Sequence, residues 1–597
     1  MSEQTELSLV ADAETALKNG DLFKAYHIAA AALEAFPASA SLRYQAVLAL
    51  ARSGATENAQ RLYEKYGIAS FDSVDAHTLG ARLLKDMAFE AETSSSASLL
   101  KAAAAYHRIY EKTGEYYPGI NAATLFLLAG DAGQAEPIAR RLLDDPALQR
   151  DTSYYATATI AEAELLLNRQ ADAVKTLVRA RELAGNDYAS LATTRRQFAR
   201  ILQHRGVDAR ESGLLSALAI PKVAFYCGHM VSGPGGLDEG WQAELRAKLQ
   251  TAIRETNVGI GFGGLACGAD ILFAEAFLER GIELNVVLPF KQDDYLKYSV
   301  RPGGEPWVER FHNCLKRAAS VTLASFDEYV GDPAQYTYGS SVAMGLGHLR
   351  ARHLQTDTVQ LAAFDGVSAA GLAGTATDIA TWKKFGGETS VIAFDRAAAS
   401  HTMRPAIEQK TEKDGPLSRQ MRSIIFTDVH GFSKIPESRI PRFWSGIMSR
   451  CAATIARFDK NVLYRNTWGD ALYLVIDHIA AAADLALSLH DCVTTEDAND
   501  LGLGHAPKRR VALHHGPLFE GIDPVCGQKT FFGSEVSRTA RIEPVTPLGA
   551  VYATEPFAAI LAMQAGSQFA CNYAGRIELA KGYGAFRMYR LTRSAQA

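Results

Sequence analysis

The sequence predicts three successive architectures: all-α helical repeats, an α/β domain on a parallel sheet, and an α+β domain. Three observations predict them. Residues 1–212 are rich in Ala and Leu and carry almost no strand signal. Residues 219–398 place short β-branched and aromatic runs before glycine turns and helices. Residues 419–595 mix strands and helices, and two of the strands run into an aspartate, Asp428 and Asp470. A chain of 597 residues has room for about three to four such domains.

In the first region Leu17-Lys18-Asn19-Gly20-Asp21 is followed by Ala25 and by Phe36-Pro37. Ala49 to Gly54 with Ala59, and Leu128-Ala129-Gly130-Asp131 with Ala135, repeat that pattern of small residues and a glycine turn. Small residues let paired helices approach, while Gly-Asp ends one helix and caps the next. The segment resembles tetratricopeptide helix pairs, whose period is about 34 residues; a plain helical bundle is the alternative. Either is a scaffold or sensor surface.

The second region starts with Val223-Ala224-Phe225-Tyr226-Cys227-Gly228, a strand entering a glycine turn. Gly259-Ile260-Gly261-Phe262-Gly263-Gly264 leads through Cys267-Gly268-Ala269-Asp270 into a helix over 271–280, and Leu284 to Pro289 is the next strand. Strand, helix and strand at this spacing predict a Rossmann-like sheet. Glycines ahead of a helix N-terminus let backbone amides approach a phosphate. With Phe364-Asp365-Gly366 and Gly374-Thr375-Ala376-Thr377-Asp378, the segment resembles the SLOG group, the fold of lysine-decarboxylase-like cytokinin-activating proteins and the DNA-processing protein DprA. The Pro-Gly-Gly-x-Gly-Thr-plus-Glu signature of hydrolytic members is absent. The resemblance implies a ligand-sensing domain, with Gly263, Gly264, Gly268 and Asp270 at the ligand; the alternative is that these glycines only shape turns. Residues 399–418 read as a polar linker.

Composition narrows the functional classes. With 48% hydrophobic and 21% charged residues the chain is ordinary for a soluble globular protein. A net charge of −4 offers no basic field for nucleic acid. No apolar stretch approaches the roughly 20 residues of a membrane helix, and the polar, acidic N-terminus has no signal-peptide pattern. Seven scattered cysteines without a CxxC pair indicate neither a zinc site nor a disulfide framework, so a cytoplasmic setting is expected.

The third region opens with a strand over 423–429. An amphipathic helix over 439–458 follows, then strands over 462–468 and 471–477 flanking Gly469-Asp470, a hairpin signal. A helix over 479–493, a strand over 510–514 ending before His515-Gly516-Pro517, a helix over 534–542 and strands over 551–554, 569–579 and 586–591 complete an α+β, ferredoxin-like sandwich. Phe426-Thr427-Asp428-Val429-His430-Gly431-Phe432-Ser433, Asn466-Thr467-Trp468-Gly469-Asp470 and Gly533-Ser534-Glu535-Val536-Ser537-Arg538-Thr539-Ala540-Arg541 occur in that order. Together they resemble the class III nucleotide cyclase domain over this whole segment.

The resemblance implies roles residue by residue. Asp428 and Asp470 match the two metal aspartates, and Val429 the position whose carbonyl completes the metal shell. Arg541 falls on the transition-state arginine, on a helix that reaches into a partner subunit. Lys581 falls near a phosphate-binding lysine. The chemistry asks for these types: two carboxylates can hold two Mg²⁺ or Mn²⁺ while a 3′-hydroxyl attacks its own α-phosphate, and an arginine stabilises the charge that grows on the phosphoryl oxygens. His430 is expected to pack rather than to act as a base, and Arg465 and Arg538 to be surface or interface residues.

The base-reading positions depart from the family. Where adenylyl members carry lysine and guanylyl members glutamate stands Asn466; the partnering aspartate is Thr530, and the ribose-orienting asparagine is Ser537. An asparagine amide both donates and accepts, so Asn466 and Thr530 can match uracil, with Tyr464 closing a smaller pocket. The sequence therefore resembles the bacterial pyrimidine cyclases of Pycsar anti-phage systems, which implies UTP as substrate and cyclic UMP as product. An adenylate cyclase and a non-catalytic nucleotide-binding module stay open as alternatives. The family's shared active site implies a homodimer, with the upstream domains awaiting a protein or nucleotide-like ligand.

Overall fold

A computed structural model describes residues 5–18, 22–90, 95–208, 212–231, 239–367, 373–393, 419–493 and 508–594. The linker expected at 399–418 lies outside them, as does Gly20-Asp21. Among the described residues no helix is long and apolar enough to cross a membrane.

From Glu6–Lys18 to Tyr188–His204 the chain is helical, each helix packing on its sequence neighbours. Alanines such as Ala46, Ala59, Ala102, Ala122 and Ala139 fill the seams. Gly130, at φ +90°, ends helix Tyr116–Leu128; the Asp131 side chain then accepts from Gln134 N–H at 3.1 Å and caps helix Ala132–Leu143.

The middle segment forms a sheet of β1 (Lys222–Gly228), β2 (Val258–Gly263), β3 (Glu283–Leu288), β4 (Ser320–Leu323), β5 (Thr358–Phe364) and β6 (Thr389–Ala393). The order is β4-β3-β2-β1-β5-β6, and neighbours pair in parallel. The order reverses direction between β1 and β5, which opens a crevice at their C-terminal ends.

The last segment forms a second sheet of β7 (Arg419–Val429), β8 (Val462–Trp468), β9 (Ala471–Ile476), β10 (Arg509–Ile522), β11 (Lys529–Phe532), β12 (Ala550–Thr554), β13 (Phe569–Glu578) and β14 (Ala585–Arg593). The order is β13-β14-β12-β10-β7-β9-β8, with β11 on β10. Three features differ from the sequence reading, the first being strand β11, which it did not contain. β10 does not stop at His514 but continues through Gly516 and Pro517, opposite β7 along its whole length. Proline is tolerated there because β12 pairs only with Arg510 to Leu513, so at Pro517 that side of the strand needs no donor. An unforeseen helix, Glu555–Ala565, follows β12, with Thr554 as N-cap and proline in its first turn. Its run of apolar residues has no helical period because it is buried all round.

Helix Ala334–Leu354 joins the two sheets. One side packs on β1, β2 and β3, the other on helix Glu555–Ala565, β7 and β10. At Gly345 the backbones touch: a Cβ there would lie 2.2 Å from the Ala559 carbonyl. Nearby, Tyr338 Oη donates to His515 O at 2.7 Å. The loop after β4 grips the start of helix Ser534–Ile542. Ser325 Oγ bonds Glu535 Oε1 at 3.2 Å, and Ser534 Oγ bonds Asp327 Oδ2 at 2.6 Å. Arg538 lies over both Phe326 and Phe586 and pairs with Glu535. Glu535 is fully buried, with His514 Nε2 at 2.8 Å. Burial pushes its carboxyl up, but His514 and Arg538 outweigh burial and hold it down to about 2. The repeats reach the β13–β14 edge of the second sheet through Glu57, 2.6 Å from Arg590, and through Asn58, whose side-chain amide donates to Ala574 O.

Replacing Gly345 by valine forces the two helices apart. Overpacking of this kind costs about 1–3 kcal/mol or more. The expected outcome is a lower thermal midpoint and new proteolytic cleavage between the two sheets; an unchanged melt and digest would show that the contact tolerates side chains.

Candidate active site

Asp428 is the penultimate residue of β7, opposite Arg510 on β10. Trp468 and Ala471 pair across the β8–β9 hairpin, so Gly469-Asp470 is a two-residue turn, with Gly469 at φ +64°. β9 is also a direct neighbour of β7. The hairpin therefore swings Asp470 onto the end of β7, where Val429 N–H donates to Asp470 Oδ2 at 3.0 Å. Asp470 is buried, and its carboxyl is pushed up to about 6, first by burial and then by the facing Asp428 carboxyl. Two like charges in one desolvated place fit a divalent cation, which would neutralise the pair, and the hard oxygen donors suit Mg²⁺ or Mn²⁺. Val429, through its amide, fixes one of the two aspartates.

The sequence reading missed two neighbours of this pair. Arg510 comes beside Asp428 only through the β7–β10 pairing. Glu543, just past helix Ser534–Ile542, lies 3.7 Å from Arg510; burial and then Asp428 push its carboxyl up to about 7. No motif marks either residue, and only strand register could have found Arg510.

An aromatic layer lies beside the hairpin. Phe426 and Tyr473 stack with centroids 4.7 Å apart, Tyr464 lies 5.2 Å from Tyr473, and Phe531 lies 6.1 Å from Tyr464. Tyr473 Oη donates to Phe531 O at 2.9 Å and ties β11 to β9. Tyr464 is half-buried in this layer, and Thr530, half-buried on β11, is the next residue to Phe531. Asn466 is exposed opposite Tyr473, its Oδ1 accepting from Thr467 N–H at 2.8 Å. Alternation along β8 puts Asn466 on the face of Tyr464. Phe426, Tyr473 and Phe531 belong to this layer and escaped the sequence reading.

Helix Ser534–Ile542 carries Ser537, exposed, and Arg541, half-buried near its C-terminal end. The helix touches the turn Ala580–Gly582, where exposed Lys581 adopts φ +63°. Among the described residues neither Arg541 nor Lys581 has an ion-pair partner. His430, expected to pack, is exposed, because β7 ends at Val429. Arg538 is a buried interface residue rather than a surface one, and Arg465 is exposed with Asp459 at 2.9 Å.

In the middle segment the glycines are closely packed. A Cβ on Gly263 would lie 2.5 Å from Tyr226 O, one on Gly264 2.9 Å from Tyr295 Oη, and one on Gly268 2.8 Å from His229 O. Half-buried Asp270 accepts from Gly228 N–H at 2.9 Å and from Ala266 N–H at 3.3 Å, and desolvation pushes its carboxyl up to about 7. Tyr295 Oη accepts from Leu265 N–H at 3.0 Å. Several amides of this turn thus already have acceptors within the protein. At the ends of β1 and β5, His229 and Asp365 pair at 2.8 Å.

Comparison with known proteins agrees with the two outer regions. The Tetratricopeptide Repeats-Sensor family model matches residues 24–126, and the Adenylate and Guanylate cyclase catalytic domain model matches residues 418–593. No curated protein matches the chain. Among solved structures, the chain is similar to the guanylate cyclase domain of RhGC from Catenaria anguillulae, solved with GTP, at 20% identity, covering 29% of this chain and 97% of that one, TM-score 0.25. It is also similar to the adenylyl cyclase CyaB from P. aeruginosa, at 13% identity, covering 30% and 95%, TM-score 0.26. The C-terminal domain is thus of the class III adenylate and guanylate cyclase catalytic type, and the N-terminal helices are tetratricopeptide-like repeats.

Proposed function

We propose that the C-terminal domain, residues 419–595, converts UTP to 3′,5′-cyclic UMP and pyrophosphate, in a site completed by a second copy of the chain. The observation that carries the base choice is the neutral pair Asn466 and Thr530 beside the Tyr464 aromatic layer. No charged group stands at either purine-reading position. Small amide and hydroxyl groups match the mixed donor and acceptor edge of a pyrimidine.

Asp428, Asp470 and the Val429 carbonyl would hold two Mg²⁺ or Mn²⁺, which when bound ease ionisation of the 3′-hydroxyl and neutralise triphosphate charge. The chain's own residues do the rest. The hairpin holds the second carboxylate in place through the Val429 amide. Ser537 orients the ribose. Arg541 donates to the phosphoryl oxygens, and Lys581 steadies the triphosphate. Support for a shared site comes from the unpaired Arg541 and Lys581 and from exposed apolar residues on the same sheet: Trp468 beside Asp470, and Ile522 and Val525 at the β10–β11 turn.

The middle segment, residues 219–398, acts in this proposal as a SLOG-type, Rossmann-like sensor. A nucleotide-like ligand would take the β1/β5 crevice near Gly263, Gly264, Gly268 and Asp270. Ligand hydroxyls rather than phosphates would face Asp270, because its carboxylate already holds the Gly228 and Ala266 amides. The repeats, residues 1–212, add a protein-facing surface, and the domain order suits a defence signal raised during phage infection.

Asp428→Ala or Asp470→Ala should cut product formation by at least about 100-fold with little loss of thermal stability, since electrostatic stabilisation is removed but little packing. Near-normal turnover in either variant would overturn the metal assignment. Mixing Asp428→Ala with Arg541→Ala, each inactive alone, should restore part of the activity, because each mixed dimer keeps one intact composite site; background activity in proven mixed dimers would place the whole site in one chain. With equimolar UTP, CTP, ATP and GTP and Mg²⁺, mass spectrometry should find cyclic UMP dominant. Leakage to other bases is expected, since an unpaired buried group discriminates by only about 1–3 kcal/mol. Dominant cyclic AMP would overturn the pyrimidine reading and leave the two-metal reading standing.

A further inference from the structure

Two cysteines meet beneath the metal-binding end of β7. Cys451 lies on helix Ser449–Ala456 and Cys492 at the C-terminal end of helix Ile479–Asp491, and their sulfurs are 3.7 Å apart. Cys451 is buried, while Cys492 is half-buried and lines an open cleft of about 460 Å³ together with Thr454, Arg457 and Asp491. Small solutes therefore have a path to the Cys492 sulfur, against which Cys451 lies.

Arg509 connects the pair to the site. It is the first residue of β10, its side chain is buried, and it forks between two acceptors: Nη1 donates to Thr427 Oγ1 at 2.7 Å and Nη2 to Cys451 Sγ at 3.0 Å. Thr427 is the residue before Asp428. Among the described residues no carboxylate pairs with Arg509, and its Nε has no acceptor. A buried guanidinium without a carboxylate makes the Cys451 sulfur its counter-group. The Cys451 thiol is accordingly held down to about 7, first by the hydrogen bond with Cys492 and further by Arg509 against the opposing effect of burial.

We propose that Cys451 and Cys492 form a reversible disulfide, closed by a peroxide, that loosens the Asp428 end of β7 through Arg509. The Cys451 thiolate attacks the peroxide; an S–O bond forms, the O–O bond breaks, and hydroxide leaves, to be protonated to water. The Cys492 sulfur then attacks the Cys451 sulfur; the S–S bond forms, the S–O bond breaks, and the hydroxide departs with the Cys492 proton as water. Two thiols are oxidised and the peroxide is reduced to two waters. Once bridged, Cys451 carries no negative charge, Arg509 loses its counter-group, and the clamp on Thr427 changes next to a metal-binding aspartate. The linkage to catalysis rests on the cyclase reading; formation of the bridge does not.

The test treats the full chain with hydrogen peroxide, alkylates free thiols, and maps peptides without reduction. A Cys451–Cys492 linked peptide should form, disappear with dithiothreitol, and be absent in Cys492→Ser, which keeps basal turnover. Oxidised wild-type protein should lose turnover several-fold, and should bind Mn²⁺ several-fold more weakly by electron paramagnetic resonance, a readout that stands even where no nucleotide is turned over. Oxidation of exposed Cys526 with Cys451 and Cys492 both recovered alkylated would overturn the proposal. So would complete bridging with unchanged turnover and unchanged Mn²⁺ binding.

Discussion

The contact on which the rest depends is the one without side chains, where Gly345 lets helix Ala334–Leu354 lie directly on helix Glu555–Ala565. That helix is shared by two sheets, so the middle segment and the C-terminal domain have one common layer rather than two separate cores. Close backbone approach brings Tyr338 to the His515 carbonyl and the loop after β4 to Glu535. Glu535 in turn anchors Arg538, on the helix that carries Arg541. A short, buried chain of polar contacts thus links the middle segment to the helix that carries Arg541. Such contacts have few alternative partners, because each buried group depends on the one it has.

The Asp428 and Asp470 pair has two parts of unequal stiffness. Asp428 belongs to β7, which is paired on both sides, by β10 and β9. Asp470 belongs to a hairpin at the sheet margin, where β8 has no outer neighbour in the sheet order. The central strand supplies the fixed carboxylate, and the hairpin supplies the one that the Val429 amide must hold. Exposed Trp468 stands at this adjustable end.

What could be read from the residues follows their range of interaction. The two aspartates were legible because each is tied to a local signal, a strand end and a Gly-Asp hairpin. Helix Ser534–Ile542 was legible from the Gly533 to Arg541 motif. Helix Glu555–Ala565 was not, since a helix buried on all sides carries no polar face to set its period. The length of β10 was missed because Gly516-Pro517 is a local turn signal that long-range pairing with β7 overrides. Arg510, Glu543 and the Phe426, Tyr473 and Phe531 layer come from different strands and helices, and no window along the chain contains them together. Asp270 follows the glycine turn in sequence, yet only the fold reveals that its carboxylate already holds the Ala266 amide of that turn and the Gly228 amide at the end of β1.

The clamp on the catalytic domain has an evolutionary consequence. Ser325, Asp327, Tyr338 and Gly345 lie in one stretch, residues 325–345, and every one of them meets the C-terminal domain. A lineage that shuffled this catalytic module onto another partner would strand Glu535 and Arg538 with half their surroundings and bare the face of helix Glu555–Ala565. The two segments are therefore expected to be inherited as one unit, with substitutions on either side drifting in matched pairs while the outer faces of the repeats stay free to diversify.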